Sequence, residues 1–363
     1  MTRAISGVSS SNVGRELGSR PRRHLTDAGT LVLRGRPGAS AAASTVRRAL
    51  SVALCVAGLG AAGCHYFPNH FLGHPDRLPG GLVEWTDDVG MDGLRIHVRA
   101  ARPGGSGPFA AVIVLPEAGK RAEDMEPIVW DLAAHGYAAI GAHYERCSEG
   151  DCEPSLFPWR SAADVASIFA VIERYPEVDQ RRIGLLGFSQ GGVLSLLIAE
   201  HAPGRIRAVV SYYPVTDFPV WLAKEHAGLW QRFSFFFVRR YFRSKSGARS
   251  DAEFAQLLRA ASPYYAAASI EAPVLLVHGD HDTTAPIEES RRMAERLAAL
   301  GKPVRLLVIP GGVHIFNFRE AGEAEVAWSA TLQWFDQYLL PAALPGPLPA
   351  PAIVPDAGAA PGH

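Results

Sequence analysis
The distribution of apolar residues sets the outline of this chain. Phe109–Leu115 is a continuous apolar run, the pattern of a strand buried on both faces. Similar runs at Tyr137–Ala142, Arg182–Gly187, Ile206–Tyr212, Val274–His278 and Val304–Ile309 predict further strands. Between them, apolar residues recur at helical spacing over Met125–His135, Ser161–Arg174, Gly191–His201, Ile287–Leu300 and Glu323–Leu339. Upstream, Gly81–Trp85 and Leu94–Val98 flank the turn-rich Asp87–Gly90 and predict an opening hairpin. The alternation predicts an α/β fold, a mostly parallel sheet covered by helices on both faces. The sequence has no internal repeat and no P-loop, and no phosphate-cradling G-x-G-x-x-G at the end of a predicted strand.

Composition narrows the class without choosing a function. The chain has 363 residues, 48% hydrophobic and 20% charged. That excludes a disordered, collagenous or disulfide-scaffold protein. The formal charge of zero hides an asymmetry. Residues 1–48 hold nine Arg against Glu16 and Asp27, a net of +7, so the remainder is near −7. A body of that sign is a poor partner for nucleic acid, whose affinity comes mainly from phosphate neutralisation.

The amino end reads as addressing. Arg47-Arg48 precede fifteen uncharged residues, Ala49–Gly63, and then Cys64. Fifteen is short for a spanning helix, which needs ~20 apolar residues. A basic segment, a short apolar segment and small residues before a cut describe a signal peptide over 46–63. Its end, Leu59-Gly60-Ala61-Ala62-Gly63-Cys64, resembles the bacterial lipobox, with Ala61 where Leu is usual. The resemblance implies cleavage before a lipidated Cys64, and so a cell-envelope protein held to the membrane. Plain cleavage and an uncleaved anchor are the alternatives. Residues 1–45 read as an over-extended gene start or a disordered extension, 64–80 as a linker, and the Pro/Ala-rich 341–363 as a disordered tail. Cys147 and Cys152, in the loop Arg146–Glu153, read as a local disulfide in an oxidising compartment. Two cysteines with no matching pair are too few for a zinc site.

The chemistry lies at predicted strand ends. Gly187-Phe188-Ser189-Gln190-Gly191 is a G-x-S-x-G set between the strand Arg182–Gly187 and the helix that follows. A serine in that sharp turn is held with its hydroxyl exposed, above a helix whose first amides suit a developing oxyanion. Such a serine needs a base, and the base needs an orienting carboxylate, each just past a later strand. Asp280 and Asp282 follow Val274–His278, and His314 follows Val304–Ile309. His135, His143, His201 and His226 miss these strand ends, and His278 falls inside a strand.

With these residues in place, 81–340 resembles an α/β-hydrolase, specifically the dienelactone hydrolase family and its prolyl-oligopeptidase-like relatives. The resemblance rests on Gly187–Gly192, on His278-Gly279-Asp280-His281-Asp282 with Pro286, and on Pro310-Gly311-Gly312-Val313-His314. It implies Ser189 as nucleophile, Asp282 as orienting acid and His314 as general base. It also implies an oxyanion hole from the backbone N–H groups of Gln190 and Ala118, with Glu117 as a possible auxiliary. Dienelactone hydrolases carry Cys where this chain has Ser189, which shifts the expectation toward ordinary ester hydrolysis. Neither metal nor organic cofactor is expected for that chemistry. A peptidase or amidase of the prolyl-oligopeptidase-like kind, or an envelope binding protein on the same fold, are the alternatives.

One stretch exceeds what a crossover needs. Residues 215–272 are rich in aromatics, and Trp230, Phe233 and Phe237 share a helical stripe near Arg239, Arg240 and Arg243. A cap over the active-site face, ordinary packing on the domain and a membrane-touching patch all fit that pattern.

Overall fold
A computed structural model describes residues 73–340, apart from 92–93, 149–150, 155–161, 224–228 and 319–320. The signal segment 46–63, Cys64, the linker up to residue 72 and the tail 341–363 lie outside the described residues. Nine strands form one sheet: β1 (Leu82–Met91), β2 (Leu94–Pro103), β3 (Phe109–Leu115), β4 (Ala138–Ser148), β5 (Asp151–Pro154), β6 (Val178–Phe188), β7 (Ile206–Tyr212), β8 (Val274–Gly279) and β9 (Val304–Ile309). Their order is β1-β2-β4-β3-β6-β7-β8-β9, with β5 off this path and pairing the last residues of β4. From β4 through β3 to β9 the pairing is parallel, while β1, β2 and β5 join antiparallel.

The apolar run of β3 supplies both cores. Ala111, Ile113 and Leu115 face one side of the sheet; Ala110, Val112 and Val114 face the other. On the first side pack α2 (Ala162–Ile172), α3 (Gln190–His201) and α7 (Glu288–Ala299), through Phe169, Leu196, Met293 and Leu297. On the second side pack α1 (Glu126–Ala134) and α8 (Ala321–Leu339), through Ile128, Leu132, Trp334 and Phe335. A third core joins α4 (Phe218–Ala223), α5 (Leu229–Lys245) and α6 (Asp251–Ala260) to Val193 and Leu197 of α3. The long insertion therefore has its own apolar centre, seated on the helix that follows Ser189.

Two expectations are corrected. The opening hairpin is twice the expected length, because Asp87–Gly90 is ladder and not turn. Asp88 pairs His97 and Met91 pairs Leu94. The pair between Met91 and Leu94 in sequence is Asp-Gly, which two-residue hairpins favour over the Asp-Asp-Val-Gly read as the turn. Likewise Arg146–Glu153 is not a plain loop. β4 continues through it and returns as β5, with Cys147 and Cys152 as directly opposed Cα partners. Among the described residues no helix is long and apolar enough to cross a membrane.

Candidate active site
Ser189 stands where β6 gives way to α3, at φ 50° and ψ −110°. An L-residue keeps that conformation only where its surroundings impose it. Here its N–H donates to the Tyr212 carbonyl (2.9 Å), and the Ser195 and Ser211 hydroxyls both donate to the Gly192 carbonyl (2.8 and 2.9 Å). Backbone crowding completes the turn. A Cβ on Gly191 would lie 2.1 Å from the Leu115 carbonyl oxygen. The end of β3 is thus pressed against the start of α3, which carries the loop Pro116–Lys120 to the nucleophile's side.

The Ser189 hydroxyl oxygen lies 3.0 Å from His314 Nε2, and His314 Nδ1 lies 2.6 Å from Asp282 Oδ2. In neutral His314 the Nδ1–H donates to the carboxylate, so Nε2 accepts the serine proton. The Asp282 carboxylate is fully buried, while the imidazole is 19% exposed. Its other oxygen accepts the Thr284 and Ala285 N–H groups (2.8 and 2.9 Å). Burial alone would raise this carboxyl's pKa. The neighbouring His314, through its charge and its hydrogen bond, together with nearby His278, outweighs burial and holds it well below the usual carboxylate range.

The loops after β8 and β9 are zipped together by backbone. Asp280 N–H donates to the Ile309 carbonyl and His281 N–H to the Gly312 carbonyl (3.2 and 2.9 Å). A Cβ on Gly279 would stand 2.1 Å from the Gly312 oxygen. Exposed Asp280 accepts the Gly311 N–H at 2.7 Å, so it braces the loop that carries the histidine. His278 is fully buried behind the acid. Its Nε2–H donates to the Ala285 carbonyl (2.6 Å), its Nδ1 accepts from the Ser290 hydroxyl (2.7 Å), and Asp282 lies 3.4 Å away.

Ala118 lies exposed in the turn after β3, where Lys120 N–H donates to the Glu117 carbonyl (3.1 Å). Gln190 is the first residue of α3, at the positive end of its dipole. Burial raises the Glu117 carboxyl, and nearby His314 and Lys120 pull it partly back, so this side chain shares the histidine's surroundings.

Sequence reasoning missed Tyr213, Ile315 and Asn317 here. Tyr213, Ile315 and Ser189 are the non-glycine residues with positive φ among those described (39°, 58° and 50°). The Tyr213 ring stands edge-on to His314 at 4.7 Å, and its hydroxyl donates to Asn317 Oδ1 at 2.7 Å. Strained backbone therefore brackets the nucleophile and the base. No short motif announces it, since positive φ at Tyr or Ile is imposed by packing.

The insertion reaches this site through α4. Trp221 Nε1–H donates to the Thr284 carbonyl (2.8 Å), beside the amide that holds Asp282. Its root is polar and buried. Glu289 accepts the N–H groups of Thr216 and Asp217 (3.0 and 2.8 Å), and Arg292 pairs Asp217 at 2.8 Å.

Among the described residues one group of metal-ligating type lies elsewhere, His97, His143 and Glu145 on β2 and β4, with ligand atoms within 4.8 Å of one another. His143 Nδ1 accepts the Ala122 N–H at 2.9 Å, which puts the ring proton on Nε2, the nitrogen facing Glu145. His143 in that state does not offer Nε2 as a ligand.

Comparison with known proteins agrees with the fold. Residues 161–341 match the prolyl oligopeptidase family. YtmA, an uncharacterized peptidase of Bacillus subtilis (strain 168), is 26% identical over 63% of this chain and 85% of its own length. A protein of Escherichia coli (strain K12), provisionally named carboxymethylenebutenolidase, is 27% identical over 71% of this chain and 88% of its own. The acylaminoacyl peptidase of Pyrococcus horikoshii superposes with a TM-score of 0.57 at 18% identity, over 72% of this chain. This chain spans only 42% of that peptidase. The chain has the α/β-hydrolase fold, and it is similar to hydrolases of the prolyl-oligopeptidase and dienelactone-hydrolase type.

Proposed function
We propose that the protein is a serine hydrolase of carboxylic esters, working through an acyl-enzyme. The observation that carries this reading is the hydrogen-bonded series Ser189–His314–Asp282, starting from a strained serine at a helix N-terminus. His314 Nε2 takes the hydroxyl proton as Ser189 Oγ attacks the ester carbonyl carbon. The carbonyl oxygen becomes an oxyanion, met by the backbone N–H groups of Gln190 and Ala118. The imidazolium, stabilised by the Asp282 carboxylate, then protonates the departing alkoxide. Water enters by the same base, and the acid leaves as Ser189 regains its proton.

Amide cleavage uses the same steps with a poorer leaving group, and the prolyl oligopeptidase family match favours it as the second reading. A fluorophosphonate probe tests the shared chemistry. Labelling should fall on Ser189 and vanish in Ser189→Ala, and an unlabelled folded protein would turn the reading toward an inert binding protein. A panel of p-nitrophenyl esters against peptide p-nitroanilides separates the two hydrolases, with kcat/KM expected to favour the esters.

Export to the bacterial cell envelope and a lipid anchor at Cys64 belong to the same proposal, on the strength of the Arg47–Cys64 pattern. Intact mass should show an acylated Cys64 at the mature amino end; recovery of residues 1–63 on the mature chain refutes that part. In an oxidising compartment Cys147 and Cys152, opposed across the β4–β5 ladder, would form a disulfide, which an antiparallel Cα separation of about 4.5–5.5 Å permits.

A further inference from the structure
We propose that the outer face of α5 is a docking surface for an anionic phospholipid bilayer. From Leu229 to Ser250 the chain carries Arg232, Arg239, Arg240, Arg243, Lys245 and Arg249 and no Asp or Glu. This cation-only stretch stands out because residues 49–363 as a whole are near −7. An amphipathic helix packed on a domain turns its aromatic residues inward. α5 does so with Phe235, 8% exposed, and Val238, 2% exposed, in the third core. Phe236 departs from that rule. It is 62% exposed, the highest value among the exposed large hydrophobics of the described residues.

The arrangement around Phe236 is that of an interfacial helix. Arg239 and Arg240, three and four residues on, lie on the same stripe and are exposed. Among the described residues neither forms an ion pair with a carboxylate, whereas Arg243 on the inner edge pairs Asp251 and covers the Phe254 ring. Arg239 also lines a cavity of about 180 Å³ with Leu222, Phe254, Leu258 and Asp251. An exposed aromatic ring beside two guanidinium groups that pair with no described carboxylate suits a bilayer, where the ring enters the headgroup boundary and the cations meet lipid phosphates. A single-stranded nucleic acid asks instead for a groove with successive stacking rings. The inner face of the same helix reaches the site, since Phe235 packs edge-on against Trp221 at 5.1 Å and Trp221 bonds to Thr284. This surface does not depend on the ester reading or on the anchor.

Sedimentation with vesicles of phosphatidylcholine containing phosphatidylglycerol tests it. Every arm uses the full chain with Cys64→Ser, so that no acyl group contributes. Phe236→Ser with Arg239→Glu and Arg240→Glu should lower the partition coefficient about ten-fold or more on these vesicles, with an unchanged Tm because the three side chains are exposed. Arg291→Glu with Arg305→Glu, exposed arginines elsewhere, should change it less than about two-fold. Equal binding by the parent and the triple variant, or an equal loss in both charge-reversed proteins, overturns the proposal. So does full retention of binding on pure phosphatidylcholine.

Discussion
Asp282→Asn tests the proposed chemistry most sharply, because the structure dictates how the amide must sit. Asp282 Oδ1 accepts two backbone N–H groups and its Oδ2 faces His314 Nδ1 at 2.6 Å. An asparagine keeps its carbonyl on the two amides, since its NH2 there would leave two donors facing a donor. The NH2 then points at His314, and Nδ1 must accept. The ring proton moves to Nε2, which faces Ser189 Oγ and can no longer take its proton. The imidazolium also loses its counter-charge. Together these should lower kcat by roughly 10²- to 10⁴-fold, about 3 to 5 kcal/mol of transition-state stabilisation, with little change in KM. Asp280→Asn should leave most activity, because its oxygen can still accept the Gly311 N–H. The assay is steady-state hydrolysis of a p-nitrophenyl ester, with fluorophosphonate labelling rates and circular dichroism on each protein. A folded Asp282→Asn enzyme with more than a tenth of parental kcat refutes the reasoning, as does Asp280→Asn being the more damaging change. The pH dependence carries a sign. Asp282 titrates lower folded than unfolded, where it is about 3.9, so its contribution is complete above that range and is lost as pH falls through the folded value. The stability gap between parent and Asp282→Asn should therefore be widest at neutral pH and narrow below about pH 4 in denaturant titrations.

Further changes probe how the site is held. Gly191→Ala should yield little soluble protein or lose labelling of Ser189, because its Cβ would fall 2.1 Å from the Leu115 oxygen; a stable, fully active Gly191→Ala protein contradicts the packed turn. Glu289→Ala should cost about 2 to 4 kcal/mol in urea unfolding by orphaning the amides of Thr216 and Asp217, whereas Glu289→Gln, which keeps the acceptor, should stay within about 1 kcal/mol. Because burial raises the Glu289 carboxyl, the advantage of the glutamine variant over the parent should shrink as pH falls and the glutamic acid protonates. Trp221→Ala should cost about 3 to 5 kcal/mol and lower kcat as well, since it removes a core side chain and the bond to Thr284; a stability loss with unchanged kcat would detach the insertion from the acid loop.

The sequence by itself determined the layered α/β plan, because burial on two faces writes a continuous apolar run such as Phe109–Leu115 and helices between strands write a different period. It also determined which residues to suspect. Ser189, Asp282 and His314 each follow an apolar run, and chain order alone narrowed the histidines. Strand limits were less legible, since Asp87–Gly90 carries turn-forming residues yet lies in a ladder whose length the partner strand imposes. Chain order left both Asp280 and Asp282 open, and the family resemblance pointed to Asp282. The tertiary structure puts the Asp282 carboxylate on the imidazole, which two residues of separation cannot do. It also decided that Asp280 crosses to the neighbouring loop, and that Tyr213 and Ile315 take positive φ. These are outcomes of backbones pressed together from distant parts of the chain, as at Gly279 against Gly312 and Gly191 against Leu115. Periodicity reports how much of each face is buried, whereas the atom-to-atom fit of two loops depends on every element that supports them.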